Sequence, residues 1–387
     1  MRPRHYTMHG KPTGKPLILY DKWLIIATFG LLIIGLTMVA SSSITISTKY
    51  YNQPFHFFIR QASYLGLGLL LSLICLRVDV NIYQKHSAHL LIISLVMLCL
   101  VLIPGIGKAV NGSRRWISLG LFSIQVSEIC KLALVLYIAA YLVRQQDVIA
   151  EKISAFIKPM IVLGIVAALL LAEPDFGATV VISGTVMAML FLAGVKFRYY
   201  LGLLLMVILA LSVIAFSSPY RVARLTTFLN PWADQFNSGY QLTQSLIAFG
   251  RGGLWGTGLG TGVQKLFYLP EAHTDFLLAV LAEEAGLIGV FIVIGLYIVV
   301  VIRGFTIGLD AYRQQLRFAA YVAYGLTFWL GIQTIINISV NTGLLPTKGL
   351  TLPFLSYGGA SLVVNCILIA ILLRIDHENR WQALGLK

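Results

Sequence analysis

The chain has 387 residues, of which 58% are hydrophobic and only 11% are charged, and its mean hydropathy is +0.84. Soluble proteins carry about a quarter charged residues, so this composition excludes an ordinary soluble globular protein. The formal net charge of +14 could suggest a nucleic-acid partner, but the basic residues do not cluster into one patch, and we expect no nucleic acid to bind.

Recurrent apolar runs of about 20 residues predict an all-α polytopic membrane protein with about ten transmembrane helices. The four cysteines all fall inside these runs, where they are expected to be small core residues rather than disulfide partners or metal ligands. An even number of spans places both termini on one side of the membrane. The predicted spans are about 23–43, 58–76, 87–105, 126–143, 158–172, 177–195, 199–217, 275–302, 317–341 and 356–374.

The distribution of lysine and arginine predicts the orientation of the chain. More than half of these 29 residues lie in the tails and in the loops on the N-terminal side, which the positive-inside rule identifies as the cytoplasm. We therefore expect cytoplasmic tails at 1–22 and 375–387 around a single membrane domain at 23–374. The long loop at 218–274, between spans seven and eight, is then extracytoplasmic. The first apolar run is too long for a signal-peptide core and is expected to be a retained helix.

The second outer loop carries Arg114 and Arg115 next to Trp116. Arginine–tryptophan pairs often anchor a protein in the headgroup region of the membrane. Paired guanidinium groups also bind phosphate, so a clamp on a lipid diphosphate is the alternative. The residue types alone favour the anchor.

Two further groups of charges lie in or beside the next spans. Glu128 and Lys131 are three residues apart on one helix face and can form an ion pair, either as a structural contact or in the wall of a polar cavity. Glu173-Pro174-Asp175 predicts a tight outward turn with solvated acids, or alternatively a contact with a cation or a sugar.

The long loop contains three features. Arg221 and Arg224 are spaced to share one helical face. Apolar residues recur at helical spacing in 240–249, with Gln244 among the polar positions, which predicts an amphipathic helix at the membrane interface. The glycine-rich stretch 250–262 is no P-loop, because no Gly-Lys-Ser/Thr follows it; it predicts close approach of the backbone to a ligand or a mobile lid.

The stretch from Tyr268 to Asp275 brings Glu271, His273 and Asp275 to the point where the chain enters the bilayer. Ionisable groups are costly there, so a functional site is the default interpretation. The alternative is that Asp275 only caps the helix that follows. At least one of Glu283 and Glu284, two turns further, is expected to face a polar interior.

The last outer loop has prolines and glycines around Lys348, so its backbone is expected to be irregular and to line a cavity. All these clusters lie on the predicted outer side and suit an amphiphile with an anionic head. A transferase and a lipid transporter both remain open. The sequence requires no cofactor and has no metal-ligand spacing, although a divalent cation, Mg or Mn, is compatible with such a site.

From about Asp21 to Glu378 the chain resembles the SEDS family of bacterial cell-wall polymerases. Within the family, Gly343 to Pro353, with its Thr347-Lys348, is similar to the division branch rather than the elongation branch. The chain departs from the family at Val126, where a proline is usual. The motifs that carry the resemblance are Asn111-Gly-Ser-Arg-Arg-Trp-Ile, Gln125-Val-Ser-Glu-Ile-Cys-Lys, Glu173-Pro-Asp-Phe-Gly, Tyr240-Gln-Leu-Thr-Gln-Ser, Leu269-Pro-Glu-Ala-His-Thr-Asp-Phe and Leu355-Ser-Tyr-Gly-Gly.

The resemblance implies a peptidoglycan glycosyltransferase of the bacterial inner membrane, active on the periplasmic side at the division septum. Its substrates would be lipid II and polyprenyl-diphosphate-linked glycan. Its partners would be a class B penicillin-binding transpeptidase and other divisome membrane proteins. Asp275 would be the essential carboxylate, the general base of an inverting transfer.

The other candidate site residues follow from the same resemblance. Candidates for the diphosphates are Arg114, Arg115, Arg221, Arg224 and Lys348, and further candidate substrate contacts are Glu128, Lys131, Gln244, Glu271, His273 and Ser356. Two other functions remain: a lipid II flippase, and a non-catalytic scaffold that activates the transpeptidase. The intramembrane charges stay in the outer half or near the middle, which favours the enzyme over the flippase.

Overall fold

The computed structural model describes residues 20–110, 113–120, 122–149, 152–217, 227–347 and 349–385. Within these ranges the chain is mainly helical. The helices are α1 (Lys22–Tyr51), α2 (His56–Cys75), α3 (Val80–Leu102), α4 (Val126–Arg144), α5 (Ile153–Ala172), α6 (Phe176–Leu192), α7 (Phe197–Phe216), α8 (Tyr240–Gly252), α9 (Leu277–Arg313), α10 (Arg317–Asn341) and α11 (Gly359–Ala383). A short 3-10 turn, Pro231–Asp234, precedes α8.

Eight of the described helices are long and apolar enough to cross a membrane, namely α1 to α5 and α9 to α11. α6 and the first part of α7 are shorter apolar segments. These ten helices match the ten predicted spans in chain order, and α8 belongs to the long loop before α9. The prediction of a helical multi-pass membrane protein is confirmed.

The core of the bundle is formed by α4, α10 and α11. In their most apolar stretches, 78%, 67% and 83% of the residues are buried inside the protein, compared with 17% in α2 and 28% in α3. A helix that is apolar on all sides and enclosed belongs to the interior, whereas α2 and α3 present most of their apolar surface outward, as lipid-facing helices do. Trp329 of α10, at 1% exposure, is among the largest fully buried side chains of the described residues.

Several helices continue beyond the predicted spans. α9 ends at Arg313 rather than 302, and α11 ends at Ala383 rather than 374, so most of the predicted C-terminal tail is helical. Hydropathy ends a span at the first charges, but here those charges stabilise further turns. Arg374 Nε lies 2.9 Å from Glu378 Oε1, and Arg380 Nε lies 2.8 Å from Asp376 Oδ2, both as i,i+4 pairs.

The loop between α3 and α4 forms a small antiparallel sheet, which the sequence does not predict. Its strands are β1 (Gly107–Val110), β2 (Ser113–Leu119) and β3 (Phe122–Gln125), with β2 in the middle. β3 leads directly into α4. Because successive side chains on a strand point to opposite faces, Arg114 and Arg115 of β2 are separated, the first exposed and the second half-buried.

Helix α9 is broken at Gly286, where φ is 68° and ψ is −173°. The segment 253–258 of the long loop inserts into the break and takes up the main-chain groups that the helix leaves free. The four hydrogen bonds are Leu287 N to Gly253 O (3.0 Å), Ile288 N to Leu254 O (3.2 Å), Thr257 N to Glu283 O (2.9 Å) and Gly258 N to Glu284 O (3.0 Å). A Cβ atom on Gly286 would lie 2.4 Å from Leu254 O, so only glycine fits.

Candidate functional site

Asp275 lies in a tight turn that immediately precedes α9. Glu271 adopts the left-handed conformation (φ 56°), and its carbonyl accepts hydrogen bonds of 3.2 Å from both Thr274 N and Phe276 N. The N-cap residue of α9 is Phe276, so the interpretation of Asp275 as the helix cap is wrong. The Asp275 side chain is half-buried at this end of the bundle.

The main chain of Asp275 is fastened to α10 by two side-chain amides. Asn337 Nδ2 and Asn341 Nδ2 donate to the carbonyl oxygen of Asp275 at 3.1 and 3.0 Å. Asn337 Nδ2 also donates to Leu350 O at 2.6 Å. Neither asparagine is among the site residues predicted from the sequence. The available signal was two amides four residues apart in an apolar helix, because buried amides need hydrogen-bond partners.

The carboxylate of Asp275 lies against Gly349, in the loop that follows α10. A Cβ atom on Gly349 would be 2.9 Å from Asp275 Oδ2. The same loop is held from the other side by Gln61 of α2, whose Nε2 donates to Ser356 O at 3.1 Å. Ser356 itself is 4% exposed, and its hydroxyl accepts from Leu352 N at 2.9 Å, so it closes a turn of this loop. A contact of Ser356 with substrate stays a prediction.

His273 forms part of an aromatic wall beside the turn. Its ring centroid is 4.8 Å from that of Phe57 and 5.7 Å from that of Tyr357, and its carbonyl accepts from Tyr357 N at 2.9 Å. Burial lowers the pKa of His273, although Glu271 acts in the opposite direction. The imidazole is therefore neutral at neutral pH and offers a stacking face rather than a positive charge. Glu271 is exposed, and its Oε2 accepts from Thr274 Oγ1 at 2.6 Å.

The predicted ion pair of α4 is present in the core. Lys131 Nζ lies 2.8 Å from Glu128 Oε1 and 3.0 Å from Gln333 Oε1. The other end of the Gln333 amide donates to Thr351 O at 2.9 Å. The pair thus connects to the loop that carries Gly349, and its proposed role in shaping a cavity remains a prediction.

The turn between α5 and α6 is buried, so the prediction of solvated acids is wrong. Glu173 is 0% and Asp175 3% exposed. The reason is Arg115, whose Nε donates to Glu173 O at 3.1 Å and whose Nη2 donates to Pro174 O at 2.6 Å, with Nη1 3.8 Å from Asp175 Oδ1. Burial raises the pKa of Glu173 to about 8; Asp175 acts in the same direction and Arg115 in the opposite one.

Glu283 and Glu284 both face a polar interior, but this interior is made of the protein's own loop. Glu284 forms an ion pair with Lys265 and accepts from Ser41 Oγ at 2.7 Å. Glu283 accepts from Val263 N at 2.9 Å and from Gln264 N at 3.0 Å. These contacts fix the glycine-rich part of the long loop to α1 and α9.

Helix α8 is present where the amphipathic pattern predicts it, and part of its apolar side packs on protein; its position at the membrane interface stays a prediction. Leu242 and Ala248 are 2% and 0% exposed. Ser245 Oγ donates to the carbonyl of Asn341 at 2.7 Å. Gly252 fits against α9 so closely that a Cβ atom there would lie 1.9 Å from Ala282 O.

The remaining predicted site residues are not all placed. Arg114 is exposed on β2, and Gln244 is half-buried on α8. Arg221, Arg224 and Lys348 lie outside the described residues. Within the described part of the chain, no group of three or more His, Cys, Asp or Glu side chains is arranged to hold a metal ion. A divalent cation held together with substrate phosphates stays a prediction.

Comparison with known proteins supplies the family context of this site. The model of the cell cycle protein family FtsW/RodA/SpoVE matches residues 22–381. A protein of Legionella pneumophila named probable peptidoglycan glycosyltransferase FtsW is 68% identical over 387 residues, covering 100% of this chain and 98% of the relative. A Coxiella burnetii protein of the same name is 55% identical over 360 residues, covering 93% of this chain and 97% of the relative.

Two solved structures are similar over nearly the whole chain. The first is a chain from a study of how a peptidoglycan synthase complex coordinates polymerization and crosslinking. It has a TM-score of 0.76 and 28% identity, covering 94% of this chain and 99% of the other. The second is the rod shape determining protein RodA of Thermus thermophilus, with a TM-score of 0.70 and 27% identity, covering 95% of this chain and 99% of the other.

Proposed function

The chain belongs to the FtsW/RodA/SpoVE family of cell cycle proteins, and from that premise we propose that it polymerises lipid II into glycan strands during septal wall synthesis, with Asp275 as general base. It is a peptidoglycan glycosyltransferase, as relatives with 68% and 55% identity are named. The observation that supports the base is a half-buried carboxylate in a turn fixed on several sides.

The proposed step is a displacement with inversion. The Asp275 carboxylate takes the proton of the acceptor's 4-hydroxyl as that oxygen attacks the anomeric carbon of the donor sugar. The new glycosidic bond forms while the bond from that carbon to the diphosphate breaks. The electron pair leaves with the polyprenyl diphosphate, and the proton stays on Asp275 until water or the product phosphate removes it.

The leaving diphosphate needs cations at the same end of the bundle. Arg114 is exposed on β2 and free to turn towards a headgroup, whereas Arg115 is already used by the carbonyls of the 173–175 turn. We therefore favour Arg114 over Arg115 as a phosphate ligand. Lys348, which follows Thr347 and precedes the Gly349 that touches Asp275, is the second proposed ligand.

The proposed setting is the inner membrane at the septum, with the Asp275 end of the bundle facing the periplasm. The excess of lysine and arginine in the loops on the other side supports this orientation. The proposed partner is a class B penicillin-binding transpeptidase. Its support is the similarity to a chain from a peptidoglycan synthase complex in which polymerization and crosslinking are coordinated.

The flippase alternative has less support from the contacts inside the membrane domain. A translocation path needs polar groups that are available to the headgroup of the lipid. The buried charges bind protein groups instead: Lys131 binds Glu128 and Gln333, and Glu284 binds Lys265. The scaffold alternative predicts normal division when Asp275 is replaced.

The experiment uses the full chain purified with its transpeptidase, whose active-site serine is blocked. Purified lipid II is supplied, and glycan strands are measured for wild type and for Asp275→Asn. The matched control is Asp310→Asn. Asp310 lies near the C-terminal end of α9, far along the helix from Asp275, and its side chain is 46% exposed. Strands from wild type and the control but none from Asp275→Asn support the proposal. Strands from Asp275→Asn in an intact complex contradict it.

A further inference from the structure

The carbonyl of Asp275 takes no part in the usual hydrogen bonding of the helix that follows it. In a continuous helix this carbonyl would accept from the N–H of Ala279, four residues later. In the structure, Ala279 N is shared between Phe276 O at 3.1 Å and Asn341 Oδ1 at 3.2 Å, while Asn341 Nδ2 donates to the Asp275 carbonyl at 3.0 Å. The amide of Asn341 therefore bonds both groups, which do not bond each other, and α9 does not extend back through Asp275.

Asn337 fixes the same carbonyl to a second segment. Its Nδ2 carries two hydrogens, and these go to Asp275 O at 3.1 Å and Leu350 O at 2.6 Å. Leu350 follows Gly349, which touches the Asp275 carboxylate. One amide thus sets the spacing between the turn that carries the carboxylate and the loop that the carboxylate packs against.

Both asparagines are in the protein interior and lie on one face at the end of α10, with 2% and 0% exposure for Asn337 and Asn341. Each could satisfy its amide within its own helix, as Asn341 partly does by donating to Asn337 O at 2.9 Å. Instead, both aim a donor at one carbonyl of a residue more than sixty positions earlier, and a carbonyl has only two lone pairs. The arrangement saturates that carbonyl with donors from a rigid helix.

We propose that Asn337 and Asn341 are positioning residues that hold the Asp275 carboxylate in the orientation required for proton abstraction. The inference rests on the proposed function of Asp275 and adds to it how the base is aimed. Loss of either amide frees the Asp275 peptide unit. Loss of Asn341 also allows the first turn of α9 to grow back by one residue, which rotates the carboxylate away from Gly349.

The test compares Asn337→Leu and Asn341→Leu, which keep the size of the side chain and remove the donor, in the complex with the serine-blocked transpeptidase. The rate constant kcat, the KM for lipid II and the thermal unfolding temperature are measured for each. The matched control is Asn379→Leu. Asn379 lies near the C-terminal end of α11, is 3% exposed, and donates to Ile307 O at 3.0 Å. Asp275→Asn is measured in parallel.

We expect kcat to fall about tenfold to a hundredfold in both variants, with KM within about twofold of wild type, because a base displaced by about 1 Å loses rate rather than affinity. The control is expected to lose thermal stability to a similar degree and to keep its kcat. If the leucine variants do not assemble, Asn337→Ser and Asn341→Ser retain a shorter donor and are expected to show a smaller loss with the same division between kcat and KM.

Two results overturn the inference while the proposed function stands: a kcat within about twofold of wild type in both variants, or the same loss of kcat in Asn379→Leu. In either case Asp275→Asn is inactive. Strand synthesis by Asp275→Asn would instead contradict the proposed function, so the two failures are distinguishable.

Discussion

The Asp275 carboxylate packs against Gly349, which belongs to a segment distant from it in sequence. A Cβ atom on Gly349 would lie 2.9 Å from Asp275 Oδ2, closer than real side chains allow. The carboxylate therefore occupies the volume that any larger residue at 349 would need.

Gly349→Ala is expected to slow polymerisation about tenfold or more, because the added methyl group displaces the carboxylate by a few tenths of an ångström. The rate of strand formation from lipid II measures the effect. The control is Gly66→Ala in α2, where a Cβ atom would have no described neighbour within 4 Å. A wild-type rate in Gly349→Ala would mean that the carboxylate can shift without loss of function.

Gly286→Ala is expected to destabilise the protein by about 1–3 kcal/mol, since alanine at φ 68° is strained and its methyl group would overlap the carbonyl of Leu254. The free energy of unfolding in detergent measures the loss. Gly295→Ala lies in the regular part of the same helix, with no described atom within 4 Å of its Cβ position, and is expected to be neutral or slightly stabilising. Equal stability of the two variants would refute the steric argument.

Lys265→Met removes the partner of Glu284, which is 2% exposed, and is expected to cost about 3 kcal/mol of unfolding free energy. The remaining donors, Ser41 Oγ and Gly260 N, still contact the carboxylate and limit the loss. Adding Glu284→Gln should restore part of the stability, because the uncompensated charge is then gone. Additive losses in the double variant would show that the two side chains do not interact.

Glu173 makes the stability of the fold depend on pH. Its pKa is about 8 in the folded protein, against a usual value of 4.5, so between these values the folded state binds a proton that the unfolded chain does not. Stability therefore falls as the pH rises from about 4.5 to about 8 and is constant above that. Glu173→Gln cannot ionise, so it lacks this pH dependence. As the pH is raised from 5 to 8, its free energy of unfolding should rise relative to that of wild type by an amount on the order of a few kcal/mol. The unfolding temperatures of both proteins across this pH range measure the change. A difference that does not change with pH would exclude this ionisation.

Much of the architecture could be predicted from the sequence, since apolar runs identify membrane helices whatever their partners are. Asp275 could be identified for a similar local reason, because a charged residue beside a long apolar run is visible in the sequence itself. Asn337 and Asn341 gave a weaker signal: two uncharged amides in an apolar helix indicate that hydrogen-bond partners are needed, but the partner is 62 or 66 residues away and cannot be identified locally. The buried state of Glu173 also depends on a distant residue, Arg115, 58 positions earlier. The sheet at 107–125 was missed because its short strands lie among glycines and an asparagine, residue types that predict turns.

The break in α9 connects the long loop directly to the helix that follows Asp275. The N-terminal piece of the helix, 277–285, is joined to the rest of α9 through Gly286 and also through the inserted segment 253–258. A movement of the long loop at 253–258 would therefore displace a helical piece of nine residues, 277–285, whose first residue lies two positions after Asp275. A protein that binds this loop could therefore shift the position of the carboxylate without touching it.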